Sequence, residues 1–246
     1  MDKFKFLQYF DNFFSMDLFC HECLESTNDT AKVEAARNPN RDVIITAQTQ
    51  SAGRGRLGRS FSSQPGGIYM SVSHRPRAEV SECMHFTLLA ALAVADAIYT
   101  LTEIKCEIKW PNDILINGQK ICGILTEAVH FGKSFFIVTG IGINITNAPP
   151  PGINAARLAD FSDTLPEIEE LAALVARKLY ENYDCAFSQK ERLLAAYRKS
   201  CHTLGQNIIS KSNGTIIGIA IDIDENGALI IRGENGETIV KTVDEI

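Results

Sequence analysis

A chain of 246 residues, 45% hydrophobic and 22% charged, has the make-up of an ordinary globular protein with room for one large domain, or a medium and a small one. Its net charge of -6 argues against a general nucleic-acid binder, which carries a basic surplus. Seven cysteines at irregular spacing read as reduced thiols of a cytoplasmic protein rather than a disulfide frame.

The N-terminal run "MDKFKFLQYFDNFF" is interrupted by Asp and Lys, and no signal peptide is expected there. Cys20 and Cys23 flank His21, but no second ligand pair follows at zinc-finger spacing. After "STND" (26–29) a helix is expected over 30–37, with Ser, Thr, Asn or Asp as its cap. The β-branched run 42–50 predicts a strand, and the glycine–arginine stretch "GRGRLGR" (53–59) follows it directly. Residues 67–75 alternate as a strand. Residues 82–103 read as a long helix whose apolar centre is too short to span a bilayer and carries Asp96. A strand at 106–110 ends at Pro111. Residues 113–145 predict three strands joined by hairpin turns at "NG" (117–118) and "FGK" (131–133). A proline-rich connection (147–156) leads to helices near 166–186 and 188–202. From about 205 onward, short β-rich runs separated by "DENG" (224–227) and "GENG" (233–236) suggest a small barrel.

Gly53, Gly55 and Gly58 fit the spacing GxGxxG, but that fingerprint needs a helix after the glycines to meet the pyrophosphate. Here Pro65, Gly66, Gly67 and then a strand follow, and the GK[ST] ending of a P-loop is absent. The arginines are more telling. Arg54, Arg56 and Arg59 repel one another unless water or an anion lies among them, and the glycines suit a segment that orders over an anionic ligand. The stretch "KWPND" (109–113) puts Lys109 at a strand end, where a lone cation in buried surroundings is costly without an anion. "GIGIN" (140–144) closes a strand with small residues that allow close backbone approach, and ends on Asn144.

Taken in order, "STN" (26–28), "QSAGRGRLGR" (50–59), "KWPND" (109–113), "GILTE" (123–127) and "GIGIN" (140–144) resemble the catalytic domain of biotin–protein ligases. The resemblance implies an α+β fold: a mixed sheet with helices similar to class II aminoacyl-tRNA synthetases over residues 1–202, and a small SH3-like β-barrel over 203–246. It also implies a two-step reaction, in which biotin and ATP, with Mg²⁺, give biotinyl-5'-AMP and pyrophosphate. A lysine of a biotin carboxyl carrier protein then displaces AMP. Carried over by position, Ser26, Thr27, Asn28 and Gln50 would meet the biotin head, and Arg54, Gly55 and Arg56 would lie along its tail. Lys109 and Arg56 would be catalytic, with Lys109 also touching biotin. Arg56, Arg59, Phe61, Asn112 and Asn144 would contact nucleotide, and Asp113 would hold Mg²⁺. Phe61 stands where the family usually has Trp, which removes an indole N–H and predicts weaker retention of ligand. The motifs begin at residue 26, so no helix-turn-helix and no DNA binding are expected, and no membrane partner either. The oligomeric state stays open, with a homodimer among the options. A lipoate–protein ligase is the alternative reading, sharing fold and chemistry.

Overall fold

The computed structural model describes residues 1–10, 16–76, 83–131, 134–183, 188–209 and 215–241. The elements are α1 (Lys3–Tyr9), β1 (Met16–Leu24), α2 (Thr27–Arg37), β2 (Asp42–Gln50), β3 (Gly67–His74) and α3 (Cys83–Thr102). Then come β4 (Glu107–Lys109), β5 (Asp113–Ile116), β6 (Gln119–Phe131), β7 (Ser134–Asn144), α4 (Ile168–Asn182) and α5 (Lys190–Ser200). Four short strands end the chain: β8 (Asn207–Ile209), β9 (Ile216–Ile223), β10 (Leu229–Arg232) and β11 (Thr238–Lys241).

Seven strands form one mixed sheet in the order β1-β2-β3-β7-β6-β5-β4, parallel only between β1 and β2. The long apolar helix α3 packs on one face with α4 and α5, and it is a core helix rather than a span: Phe86, Leu88, Ala90, Ala91, Val94, Ala97 and Ile98 are all buried. On the other face α2 lies over β2 and β7 and shares a small core with them: Ala31 and Ala35 against Val43, Ile45, Phe136 and Val138. Successive residues of a strand face opposite sides of the sheet. The α2 side of β7 therefore runs Phe136, Val138, Gly140, Gly142. Large side chains lie under the body of the helix, and bare backbone begins where the helix starts. That change opens the site.

Several expected elements are present with shifted ends. The helix expected at 30–37 starts three residues earlier, because Ser26 is itself the cap and its Oγ accepts from Asp29 N at 3.4 Å. The three strands of 113–145 are β5, β6 and β7; the "NG" turn adopts positive φ at Asn117 and Gly118, while residues 132–133 of the second turn lie outside the described residues. The residues expected at the tail of the 166–186 helix and at the ends of the last strands likewise lie partly outside them. The strand β1 and the helix α1 carry no clear pattern in the sequence and were not expected.

The expected barrel is not there. Among the described residues, the C-terminal strands form an open antiparallel sheet, β11-β10-β9-β8, whose two end strands do not pair with each other. Closure needs strands long and tilted enough to bring the edges together. Here the partners of the eight-residue β9 are only three and four residues long. The sheet is instead anchored on the larger domain. The Trp110 indole Nε1 donates to Gly227 O at 3.0 Å, and Trp110 N donates to Thr203 Oγ1 at 2.8 Å. Arg198 of α5 donates to the Asp222 carboxylate at 2.6 Å.

Candidate functional site

The glycine–arginine stretch leaves β2 as a short closed loop. Gly55 N donates to Arg59 O at 2.7 Å and Phe61 N to Gly53 O at 2.8 Å, so residues 53–61 double back on themselves. Two of its glycines are needed for different reasons. A methyl group on Gly53 would collide with Phe61 O and the Ser63 hydroxyl, and Gly58 sits at φ +72. One three-residue turn, Arg56–Gly58, with positive φ at both Leu57 and Gly58, is the nearest approach to a helix here, and β3 follows. No helix meets the loop as a dinucleotide site requires.

The loop lies over the glycine floor of the sheet, and the two border a cavity of about 420 Å³. Ser26, Thr27, Asn28, Gln50, Arg54, Gly55, Arg56, Arg59, Phe61, Lys109, Asn112 and Asp113 all line it, from segments spread over nearly ninety residues. Of the residues singled out from sequence, only Asn144 does not. It is buried beside the cavity and works in the turn after β7, donating to Ala156 O at 3.1 Å and accepting from Asn147 Nδ2 at 2.9 Å.

At the α2 end the polar groups are already interlocked. Gln50 Oε1 accepts from Thr27 N at 2.8 Å, and Gln50 Nε2 donates to Ser63 Oγ at 2.7 Å. Ser71 Oγ lies 2.7 Å from Thr27 Oγ1 and 2.6 Å from Asn28 Oδ1. Asn28 spends both amide protons inside the protein, on Leu125 O at 3.2 Å and Glu127 Oε2 at 2.8 Å. Its amide rests against the bare Cα of Gly140, where a methyl group would overlap it. The Phe61 ring lies on Gly142 and Gly123, which face each other across β6 and β7, and meets Tyr69 edge-on at 6.3 Å. The glycines of "GILTE" and "GIGIN" are thus seats for two specific side chains.

The opposite end is cationic. Arg56 donates to Asn112 Oδ1 at 3.1 Å, and Asn112 is itself clamped to β6 by its Nδ2 bond to Ile124 O at 2.7 Å. Lys109 is exposed rather than buried, which corrects the premise drawn from sequence. Its neighbour Trp110 points inward and is 7% exposed. Lys120, which sequence reasoning missed, reaches in from β6 and pairs with Asp113 at 2.6 Å. Only the NG turn, which folds β6 back beside "KWPND", brings it there. Five cationic side chains (Arg54, Arg56, Arg59, Lys109 and Lys120) and one carboxylate, Asp113, therefore line a cavity in an acidic chain. Such a wall suits a polyanion.

Behind the cavity, Arg54 donates to Asp29 at 3.0 Å and to Glu127 at 3.0 Å, and Lys32 pairs with Glu127 at 2.8 Å. Burial pushes the Glu127 carboxyl up. Hydrogen bonds from Lys32 and Asn28 and the charges of Lys32 and Arg54 outweigh burial, and they hold it below the usual range. Neither Glu127 nor Ser71 was singled out from sequence; the "GILTE" motif contained Glu127 but gave no reason for it. The last wall comes from the C-terminal sheet, through Asn207, Ile208 and Ile209.

Comparison with known proteins agrees with this arrangement. Residues 20–144 match the Biotin/lipoate A/B protein ligase family, and residues 203–242 match the Biotin protein ligase C terminal domain. The chain belongs to the biotin–protein ligases. The bifunctional ligase/repressor BirA of Bacillus subtilis is 34% identical over 89% of this ligase and 70% of its own length. The biotin–[acetyl-CoA-carboxylase] ligase of Mycobacterium tuberculosis is 32% identical, over 90% and 85%. Among solved structures, the biotin protein ligase of Aquifex aeolicus in complex with biotin and ATP superposes with a TM-score of 0.74 at 26% identity, covering 92% of this ligase and 96% of that chain.

Proposed function

We propose that the cavity brings the carboxylate of biotin against the α-phosphate of ATP, keeps the biotinyl-5'-AMP that forms, and presents it to a lysine of a biotin carboxyl carrier protein. The observation that carries this reading is one cavity lined by five cationic side chains together with the interlocked polar groups at the start of α2. ATP-dependent activation of biotin is the reaction of the family to which the chain belongs. It joins two anions, so positioning and fixed positive charge do most of the work.

A biotin carboxylate oxygen attacks the α-phosphorus, and pyrophosphate leaves with the electron pair of the broken P–O bond. The acceptor amine then attacks the carbonyl carbon of the mixed anhydride, AMP departs, and the amine proton goes to solvent. Ser26, Thr27, Asn28 and Gln50, already interlocked, shape the end that meets the biotin head. Arg54 and Gly55 follow the tail. Arg56, held by Asn112, reaches both carboxylate and α-phosphate, and Lys109 offsets the charge that builds there. Lys120 joins Lys109 as a second phosphate-side cation. Arg59 and Phe61 border the nucleotide, and Asn144 supports the strand end behind it.

Mg²⁺ enters with the triphosphate as part of that substrate. The protein donors do not make a cage for it: Asp113 is tied to Lys120 at 2.6 Å, and no group of three His, Cys, Asp or Glu side chains is gathered among the described residues. We place the division between the catalytic and C-terminal domains at residues 202 and 203, and we place the enzyme in the cytoplasm, with the carrier protein rather than DNA as its macromolecular partner.

The test is transfer itself. Incubated with biotin, ATP and a carrier domain, the protein is expected to biotinylate one carrier lysine, read as a streptavidin gel shift. A carrier with that lysine replaced by arginine should stay unshifted. Adenylate formation without any transfer to a carrier would overturn the second half of the reading.

A further inference from the structure

Glu127 sits outside the cavity lining, yet its carboxylate is the meeting point of three segments that build the site. Oε2 accepts from Asn28 Nδ2 at 2.8 Å, at the N-terminus of α2. Oε1 accepts from Lys32 Nζ at 2.8 Å, one turn further along the same helix. Oε1 also accepts from Arg54 Nη2 at 3.0 Å, in the glycine–arginine loop. Its own backbone is fixed in β6, opposite Val138 of β7, so it cannot follow either partner. The side chain is only 23% exposed, and charge-assisted bonds in such surroundings are stronger than their exposed counterparts.

The second carboxylate on Arg54, Asp29, belongs to α2 itself and is twice as exposed, at 46%. It ties the loop to the helix, but not to the sheet. Among the described residues, Glu127 is the one acid that ties helix and loop to the sheet together. Breaking its bond to Asn28 would leave an amide proton of a 4%-exposed side chain without its acceptor. Breaking its bond to Arg54 would leave that arginine held only by Asp29, on the helix.

We infer that Glu127 is a positioning residue that holds the biotin-head end of the cavity and the glycine–arginine loop in one register, so that a change at either end is felt at the other. This deepens the reading of the site given above and rests on it for the identity of the ligand. It predicts that loop closure and biotin affinity fail together when the carboxylate is lost.

The experiment compares the intact protein with Glu127→Gln, Glu127→Asp and Arg54→Gln in two assays. The first needs no substrate: tryptic cleavage after Arg56 and Arg59, set against cleavage elsewhere in the chain. The second is the KM for biotin and the turnover in ATP–pyrophosphate exchange. Glu127→Gln should speed loop cleavage and raise the KM for biotin, each by about tenfold or more, the factor that goes with losing one charge-assisted hydrogen bond. Turnover at saturating biotin should fall less than the KM rises. Glu127→Asp keeps the charge and should recover part of both effects, while Arg54→Gln should free the loop and raise the KM in the same sense. Unchanged loop cleavage in a folded Glu127→Gln overturns the proposal whatever the ligand is. Where Glu127→Gln does not fold, Arg54→Gln decides: a freed loop with an unchanged KM for biotin shows that the two ends are not coupled. A freed loop in Glu127→Gln, with no response of exchange to biotin even in the unaltered protein, would instead overturn the ligand assignment and leave the hold on the loop standing.

Discussion

Lys109 lies on the exposed side of β4, while Ile108 and Trp110 turn inward. Its work begins only when phosphate arrives. Lys109→Ala should leave the fold intact and lower biotin-dependent pyrophosphate exchange by about 10²–10³-fold, the usual cost of one donor aimed at developing charge; near-normal turnover would show that Lys120 and the arginines suffice. The seat of Phe61 gives a second prediction at this scale. Gly142→Ala places a methyl group inside the ring of Phe61, so stability should fall by about 1–3 kcal/mol and biotinyl-AMP should escape faster. Phe61→Trp should slow that escape if an indole N–H is what the site lacks. Glu127 supplies a pH signature. Its folded carboxyl lies below the usual value, so its stabilisation is complete above the unfolded carboxyl pKa of about 4.3 and is lost as pH falls through the folded one. Acid unfolding of Glu127→Gln should therefore be less steep below about pH 4 than that of the unaltered protein, with no difference between them in slope near pH 7.

At the scale of elements, what was legible in the sequence depended on whether the signal was local. The hairpins of β5, β6 and β7 follow from alternation and an Asn-Gly turn, and the failure of a dinucleotide site followed from the missing helix after Gly58. The motif residues of the loop, "STN" and "KWPND" do converge on one cavity. Ser71 and Glu127 were not legible, because each acts through partners 43 to 99 positions away that only sheet register brings near, and Lys120 was not, because it meets Asp113 only where the Asn-Gly turn folds β6 back on β5. Asn144 reads as a site residue by its motif, yet its amide is committed to Ala156 and Asn147. The barrel was misread for the same physical reason: strand runs and turns are local, whereas closure of an edge is not. Burial likewise separates the thiols in a way that spacing does not. It pushes the Cys106 thiol up to about 12 and raises Cys122 further still, whereas Cys23 is exposed on β1. Alkylation at pH 8 should mark Cys23 long before Cys106, since a thiol of pKa about 12 is only about one part in ten thousand thiolate there; equal rates, followed by peptide mass mapping, would contradict that burial.

Over the whole molecule, the open C-terminal sheet is a wall of the site rather than an appendage. Trp110 is a residue of the "KWPND" motif, lines the cavity, and carries the bond to Gly227 in the sheet. One residue thus serves both domains. Trp110→Phe removes that bond and leaves a buried carbonyl without its donor, so a loss of about 1–3 kcal/mol is expected, read as a lower midpoint in urea with unchanged m-value. Ending the chain at residue 202 should cost far more than folding energy, because Asn207, Ile208 and Ile209 would no longer close the cavity over a water-sensitive anhydride.

The measurement that tests the central claim most directly is ATP–pyrophosphate exchange by the purified protein, with biotin and with lipoate in parallel. The five-cation cavity and the family to which the chain belongs predict exchange that depends on biotin and is absent with lipoate alone. Exchange with lipoate alone, or none with either acid in a folded protein, would contradict the account.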